Sequence, residues 1–217
     1  MSESKGLFIT FEGGEGSGKT TQVNRLAQFL TEKTRKVVTT REPGGTPEGE
    51  KIRDLLVQRE GGEWNPVSEV LLLFAARAMH IDKIIRPALE KGKIVISDRF
   101  TDSTRAYQGY GHKFPLETIE NLNSMVLGNF APDLTFILDI DAGKGVARSG
   151  RRIAAEALHI KQTEDRFEQM EPGFHERLRQ GFLDIAKKEP ERCHVLDATL
   201  KPDDLAKKIQ KTVLEKI

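Results

Sequence analysis

Lys19 is the side chain whose surroundings most narrowly fix a chemistry. It closes the run Glu12-Gly13-Gly14-Glu15-Gly16-Ser17-Gly18-Lys19-Thr20, which follows the pattern Gly-x-x-x-x-Gly-Lys-Ser/Thr. Glycines allow backbone turns in which successive N–H groups converge on phosphate oxygens. Lys19 adds a point charge for the β and γ phosphates, and the Thr20 hydroxyl can ligate Mg²⁺. The implied chemistry is binding of a nucleoside triphosphate, with Gly13, Gly14, Glu15, Gly16, Ser17, Gly18, Lys19, Thr20 and Thr21 as the ATP-binding set. Glu15 is the odd member. A desolvated carboxylate facing those phosphates would be repelled by several kcal/mol, so it must point away.

Such a loop needs a strand before it and a helix after it. Leu7 to Phe11 reads as a buried strand, and Val23, Leu26, Ala27 and Leu30 share one helical face. Further strands are expected at Val37–Thr40, Ile94–Ser97, Leu134–Leu138 and His194–Leu196, alternating with helical patterns. Thr46-Pro47 reads as an N-cap and first helical residue, opening a helix to about Gln58. Glu60-Gly61-Gly62-Glu63 reads as a loop, and Asn65-Pro66 opens a long helix that Pro87 kinks or restarts. Gly92 ends that segment; helices are also expected around Leu116–Val126 and from Pro202 onward. Alternation of this kind predicts one α/β domain, a parallel sheet with helices on both faces. Ala147 to Glu168, with Arg148, Arg151, Arg152, Lys161 and Arg166, breaks the pattern and reads as a basic lid that closes over phosphates. The bland alternative is a solvated basic helix.

Composition removes several classes. The 217 residues suit a single domain, and 34 Lys and Arg against 33 acidic residues give no argument for nucleic acid. The single cysteine, Cys193, excludes an internal disulfide and suits a reducing compartment, where it reads as a buried, inert thiol. No apolar run approaches the ~20 residues of a membrane span, and the N-terminus lacks the blocks of a signal peptide. The five histidines show no metal-ligand spacing. A cytoplasmic protein with no membrane or nucleic-acid partner is expected. The chain lacks the Asn-Lys-x-Asp motif of a GTPase and is too short for a large ATPase module. A kinase of nucleotides or another small acceptor is favoured; the alternative from another class is a module that binds ATP without an acceptor.

Over its whole length the sequence resembles the bacterial thymidylate kinases. The resemblance rests on Phe11 through Gln22, Thr40-Arg41-Glu42-Pro43-Gly44-Gly45-Thr46, Ile52-Arg53 and Leu73-Phe74-Ala75-Ala76-Arg77. Asp98-Arg99-Phe100, Ser103-Thr104, Ala106-Tyr107-Gln108-Gly109 and Asp165-Arg166-Phe167-Glu168 complete it. It implies a P-loop nucleoside monophosphate kinase-like fold over residues 1–217, with five parallel strands and a lid at about 147–168. The implied reaction is transfer of the γ-phosphoryl of MgATP to dTMP in dTTP synthesis, by a homodimer paired through helices.

The resemblance also distributes roles. Arg99, just past the third strand where ligands bind in parallel sheets, would hold the dTMP phosphate with Arg53. A guanidinium grips phosphate in a fork that lysine cannot reproduce. Arg77 would bond O4 of thymine, Ser103, Thr104 and Gln108 would line the dTMP site, and Tyr107 would crowd the sugar's 2′ position. Family members stack an aromatic, four residues before that arginine, on the base; here Leu73 holds that place and Phe74 lies three before. Either Phe74 reaches the base, or Leu73 forms an apolar floor and Phe74 belongs to the core. Glu15 would sit near the 3′-hydroxyl, and Thr20, Glu15 and Asp98 would serve the metal. With no arginine inside the loop, transition-state charge would come from Arg148, Arg151 or Arg152, with Arg166 a weaker candidate, so Lys19, Arg99, Glu15 and these lid arginines form the catalytic set. Glu42 is either a partner of the phosphate clamp or a turn residue, and Asp197-Ala198-Thr199 would close the adenine pocket. A kinase of a different deoxynucleotide or of a nucleoside is the runner-up; the second arginine clamp argues against a nucleoside.

Overall fold

The computed structural model describes residues 6–58, 62–156 and 166–217. Glu60 and Gly61 of the expected loop, and Ala157, Leu158, Lys161 and Asp165 of the expected lid, lie outside the described residues. Five parallel strands, β1 (Leu7–Glu12), β2 (Val37–Arg41), β3 (Ile94–Asp98), β4 (Leu134–Asp139) and β5 (Cys193–Asp197), run in the order β2-β3-β1-β4-β5. The central strands are buried along almost their whole length, as their continuous apolar runs require, whereas the edge strands β2 and β5 are partly exposed. Registers Phe11↔Asp98 and Arg41↔Asp98 bring three strand ends to one level, so the loops after β1, β2 and β3 open on the same space.

Successive side chains of β1 face opposite layers. Ile9 and Phe11 pack with Val23, Leu26 and Leu30 of α1 (Lys19–Glu32) and with Leu205, Ile209 and Val213 of α9 (Pro202–Leu214). Phe8 packs on the other face with Phe74 of α3 (Pro66–His80) and Ile119 of α6 (Leu116–Leu127). A third cluster joins Ile137 of β4 to Phe174, Leu178 and Phe182 of α8 (Pro172–Lys188). Each fully buried aliphatic or phenyl side chain contributes about 1.5–3 kcal/mol.

Helix starts follow the residue chemistry. The Thr46 hydroxyl accepts Gly49 N–H at 3.0 Å at the start of α2 (Pro47–Val57), and Asn65 Oδ1 accepts Ser68 N–H at 2.9 Å before α3. Pro87 restarts rather than kinks its helix: a widened π turn at Ile81–Ile85 separates α3 from α4 (Arg86–Glu90). Proline lacks the N–H and crowds the carbonyl four residues back, which a wider turn relieves. After β3 the short α5 (Thr101–Thr104) passes into a second π turn, Arg105–Gly111, which the sequence did not reveal as an element. The stretch expected as an excursion from Ala147 is, as far as Glu156, the second half of a regular helix, α7 (Ala142–Glu156). Gly145 and Ser149, one turn apart, form its buried face. A Cβ on Gly16 would stand 2.1 Å from the Gly145 carbonyl, so α7 lies backbone to backbone on the loop after β1. Among the described residues no helix is long and apolar enough to cross a membrane.

Candidate active site

The loop Gly13–Gly18 leaves β1 and enters α1 two residues earlier than the apolar pattern suggested, which puts Lys19 and Thr20 in the first helical turn. Gly18 caps that turn in the left-handed region, at φ 88°, so the N–H groups and positive dipole end of α1 face the cleft. The Lys19 ammonium is folded across the loop, donating to the Gly13 and Gly14 carbonyls at 3.1 and 2.9 Å and to Ser17 Oγ at 3.3 Å. Burial, reinforced by the nearby Arg99 cation, lowers its pKa to about 8. Thr20 donates its hydroxyl to Asp98 Oδ2 at 2.6 Å. These two oxygens at the mouth of the cleft suit a hard cation such as Mg²⁺, which is bound through few carboxylates, water and substrate phosphates. The Glu15 carboxylate instead accepts from Arg99 Nη2 at 3.1 Å and from the Tyr107 hydroxyl.

The cleft, of about 2540 Å³, is bordered by Gly16 through Thr21, Asp98, Arg99, Arg148, Arg152 and Ala198. Arg148 spans it, donating to the Gly16 and Ala198 carbonyls at 3.3 Å each. Arg151, exposed like Arg148 and Arg152, bonds the Ala147 carbonyl of its own helix and does not border the cleft. Arg166 is elsewhere altogether, held by Glu69 and the Leu56 carbonyl.

A second cavity of about 700 Å³ adjoins the cleft, and Glu15, Arg53, Leu73, Arg77, Arg99, Ser103, Thr104, Tyr107 and Gln108 all line it. Phe74 does not. It is buried in the core beneath Arg77, whose guanidinium lies 5.1 Å from its ring centroid. Of the two alternatives left by the sequence, the structure takes the apolar floor at Leu73. The aromatics that do border the cavity are Tyr107 and Phe167, edge-on to one another at 5.1 Å.

Arg99 stands where cavity and cleft meet. Its backbone is left-handed, φ 72°, a costly state for a residue with a Cβ. Four hydrogen bonds impose it. Arg99 N–H donates to the Phe11 carbonyl at 2.9 Å and Ser97 Oγ donates to the Arg99 carbonyl at 2.7 Å. Phe100 N–H and Ser103 Oγ donate to the buried Glu12 carboxylate at 2.7 and 2.5 Å. The guanidinium so placed donates to Gly13 O at 3.0 Å, Ser103 Oγ at 3.2 Å and Glu15 Oε2 at 3.1 Å. Burial would raise the pKa of Glu15, but Arg99, Lys19 and the Tyr107 hydroxyl override it and hold the carboxyl below the usual range.

Arg77 is buried and almost fully committed: Nε to Glu42 Oε2 at 2.8 Å, Nη2 to Phe100 O at 3.2 Å and Thr104 Oγ1 at 2.9 Å. Its Nη1 is buried with no partner, as is Gln108 Oε1. Glu42, in the turn after β2, thus does more than turn the chain. It anchors Arg77 and lies 2.9 Å from His80 Nδ1, while His80 Nε2 meets Thr40 Oγ1 at 2.6 Å.

Comparison with known proteins fits this geometry. The sequence model of the thymidylate kinase family matches residues 11–209. The chain belongs to the thymidylate kinase family. A thymidylate kinase of Caulobacter vibrioides is 47% identical over 99% of both chains, and one of Syntrophotalea carbinolica 45% identical over 94% of this chain and 93% of its own. The crystal structure of the thymidylate kinase of Ehrlichia chaffeensis superposes with a TM-score of 0.74 at 40% identity, covering 96% of this chain and 98% of its own. The protein is therefore a nucleoside monophosphate kinase, and its reaction is phosphorylation of dTMP by ATP.

Glu69, His80, Phe167 and Glu168 escaped functional assignment from sequence. Glu69 and His80 were discoverable as residues one or two turns from Arg77 on α3; Phe167 and Glu168 had only their place in a family motif. Glu42→Ala would leave Arg77 and His80 buried without their carboxylate. We expect a loss of about 3–5 kcal/mol in urea unfolding at pH 7. A change below about 1 kcal/mol would show that Glu42 does not hold the pair.

Proposed function

We propose that this chain performs the transfer with the two openings as donor and acceptor sites, and with Arg99 and Arg53 gripping the acceptor phosphate between them. The observation that carries this reading is that Arg99, Arg53 and Glu15 border both cavity and cleft, so one guanidinium pair reaches a phosphate wherever it faces the loop. The donor's phosphates lie against Gly13–Thr21, with Lys19 leaving the loop carbonyls for them. Thr20 and Asp98 would hold the Mg²⁺ of the ATP complex, and the ion would supply neutralisation of charge on the transferring group.

In the acceptor cavity the base is bounded by Leu73, Leu56, Val57 and Phe167. The free Nη1 donor of Arg77 meets O4 of thymine, and the free Oε1 acceptor of Gln108 meets its N3–H. Glu15 and Tyr107, hydrogen-bonded to one another, face the sugar. Tyr107 blocks a 2′-hydroxyl and Glu15 accepts from the 3′-hydroxyl. No general base is required, because the attacking phosphate oxygen is already anionic and catalysis is in-line positioning with charge neutralisation.

Residues 147–168 act as the lid. Arg148 and Arg152 border the cleft and supply the positive charge that the loop lacks; Arg151 and Arg166 are set aside by their positions. Arginines engaged only on closure bind the transition state more than the ground state. The exposed apolar residues Val67 and Leu71 of α3 and Met125 of α6 form the face through which two copies pair. Burial pushes the Cys193 thiol up to about 12, which suits a protein working in the cytoplasm with that thiol unreactive.

Arg99→Ala is expected to lower kcat/KM for dTMP by about 10² or more, read as ADP release; near-normal activity would sink the clamp. Asp98→Asn should raise the Mg²⁺ concentration for half-maximal rate by about tenfold or more, and an unchanged requirement would remove Asp98 from the metal. Sedimentation velocity should show a dimer that Leu71→Glu converts to monomer. A monomeric parent chain would end the pairing proposal.

A further inference from the structure

The wall of the acceptor cavity also holds a carboxylate to which no part has yet been given, that of Glu69. Glu69 of α3 is 1% exposed. Its Oε1 accepts from Gln108 Nε2 at 2.6 Å, and its Oε2 accepts from Arg166 Nη2 at 2.6 Å. Arg166 also donates to the Leu56 carbonyl at 2.9 Å and lies 5.3 Å from the Phe167 ring centroid, so it is braced from two sides.

An amide is two-faced: rotated by a half turn it offers an NH₂ donor where it had offered an oxygen acceptor. Nothing in the Gln108 side chain itself selects between the two. An ion-paired carboxylate can only accept, so Glu69 draws the NH₂ toward itself and leaves Oε1 buried and unpartnered in a residue that lines the cavity. Beside it, Arg77 offers only a donor, because guanidinium has no acceptor and its other nitrogens are engaged by Glu42, Phe100 and Thr104.

We propose that Glu69 is a positioning residue which sets the hydrogen-bonding polarity of the cavity, making it a site for 4-oxo pyrimidines carrying an N3–H and excluding 4-amino pyrimidines. The proposal rests on the assignment of this cavity to the acceptor's base. A 4-oxo pyrimidine presents an acceptor at C4 and a donor at N3, which match Arg77 Nη1 and Gln108 Oε1. A 4-amino pyrimidine presents a donor at C4 and an acceptor at N3, so both pairings become repulsive. Discrimination of this sort arises from buried groups left unpaired and exceeds what a missing methyl group gives. Arg166 has the secondary part of holding Glu69 in place, so a residue near the end of the lid segment braces the base site.

The test uses two acceptors that differ in that pattern alone, dTMP and 5-methyl-dCMP. Replacing Glu69 by glutamine keeps its shape but lets position 69 donate, which frees the Gln108 amide to turn over. In Glu69→Gln the ratio of kcat/KM for dTMP to that for 5-methyl-dCMP should fall by about tenfold or more, through KM for dTMP, with KM for ATP unmoved. A parallel loss on both acceptors, with the ratio kept, would mean that Glu69 only supports the fold and would overturn the proposal. Gln108→Leu separates this from failure of the cavity assignment. If Gln108→Leu leaves the ratio unchanged, the base is bound elsewhere and the cavity assignment falls. If it collapses the ratio while Glu69→Gln does not, the cavity stands and the part given to Glu69 falls. Should the single variant fail to fold, Glu69→Gln combined with Arg166→Gln leaves no lone buried cation and gives the same readout.

Discussion

A guanidinium taken out of water must bring its counter-charge with it, and that constraint organises this site. The cost of desolvating an ion is several kcal/mol, and removing one partner of a buried pair exposes it in full. Three arginines around the acceptor cavity accordingly have a carboxylate partner: Arg77 has Glu42, Arg99 has Glu15, and Arg166 has Glu69. Behind the third strand, Arg192 and Arg105 converge in the same way on Asp102. None of these is a surface pair of small worth. They fix where a cation can stand, and so where an anion or a carbonyl oxygen can be received.

The sheet supplies the places from which these pairs are built. In a parallel sheet all strands deliver their following loops to one edge, and the crevice opens there. Glu15, Glu42 and Arg99 come from the loops after β1, β2 and β3, which lie side by side. Helix α3 crosses behind them with Glu69, Leu73, Arg77 and His80 on one stripe at three- and four-residue spacing. A sheet that orders its strands 2-3-1 thus joins a triphosphate loop to an acceptor clamp with no further scaffolding. Arg99 must take a left-handed backbone for its guanidinium to reach the junction, and the hydrogen bonds around Ser97, Phe11 and Glu12 hold it there.

What could be read from the sequence was whatever a local pattern encodes. The triphosphate loop, the strand positions, and the Thr46-Pro47 and Asn65-Pro66 helix starts depend on residues a few places apart, and all stand where expected. Which of Leu73 and Phe74 faces the cavity depends on the rotation of α3 about its axis. That rotation is set by Phe74 packing with Phe8 of β1, a contact invisible from the heptad alone. The partners of the arginines were hidden for a similar reason: Arg77 and Glu42 are 35 positions apart, and Arg166 and Glu69 are 97 apart. Charge in the basic stretch from Arg148 to Arg152 suggested one function for all three arginines. All three are exposed, and helical geometry brings Arg148 and Arg152, but not Arg151, to the cleft.

Two carboxylates of the phosphate loop show how fully neighbours, rather than position, decide a charge. Glu12 and Glu15 are three residues apart, and burial pushes both toward the neutral acid. Around Glu15 stand Arg99, Lys19 and the Tyr107 hydroxyl, and the carboxyl is held below its ordinary value. Around Glu12 burial is joined by the negative charge of Asp102; Ser103, Arg99 and the Phe100 N–H offset it only in part, and its pKa rises to about 8. The two carboxyls are thus shifted in opposite directions by what surrounds them. The end of β1 therefore places one carboxyl inward, where it clamps the turn that carries Arg99. The loop after it places one anion outward, where it balances the cations that receive phosphate. Exchanging these environments would put a charge in the core and remove one from the cavity, so the division of labour follows from what each carboxyl faces.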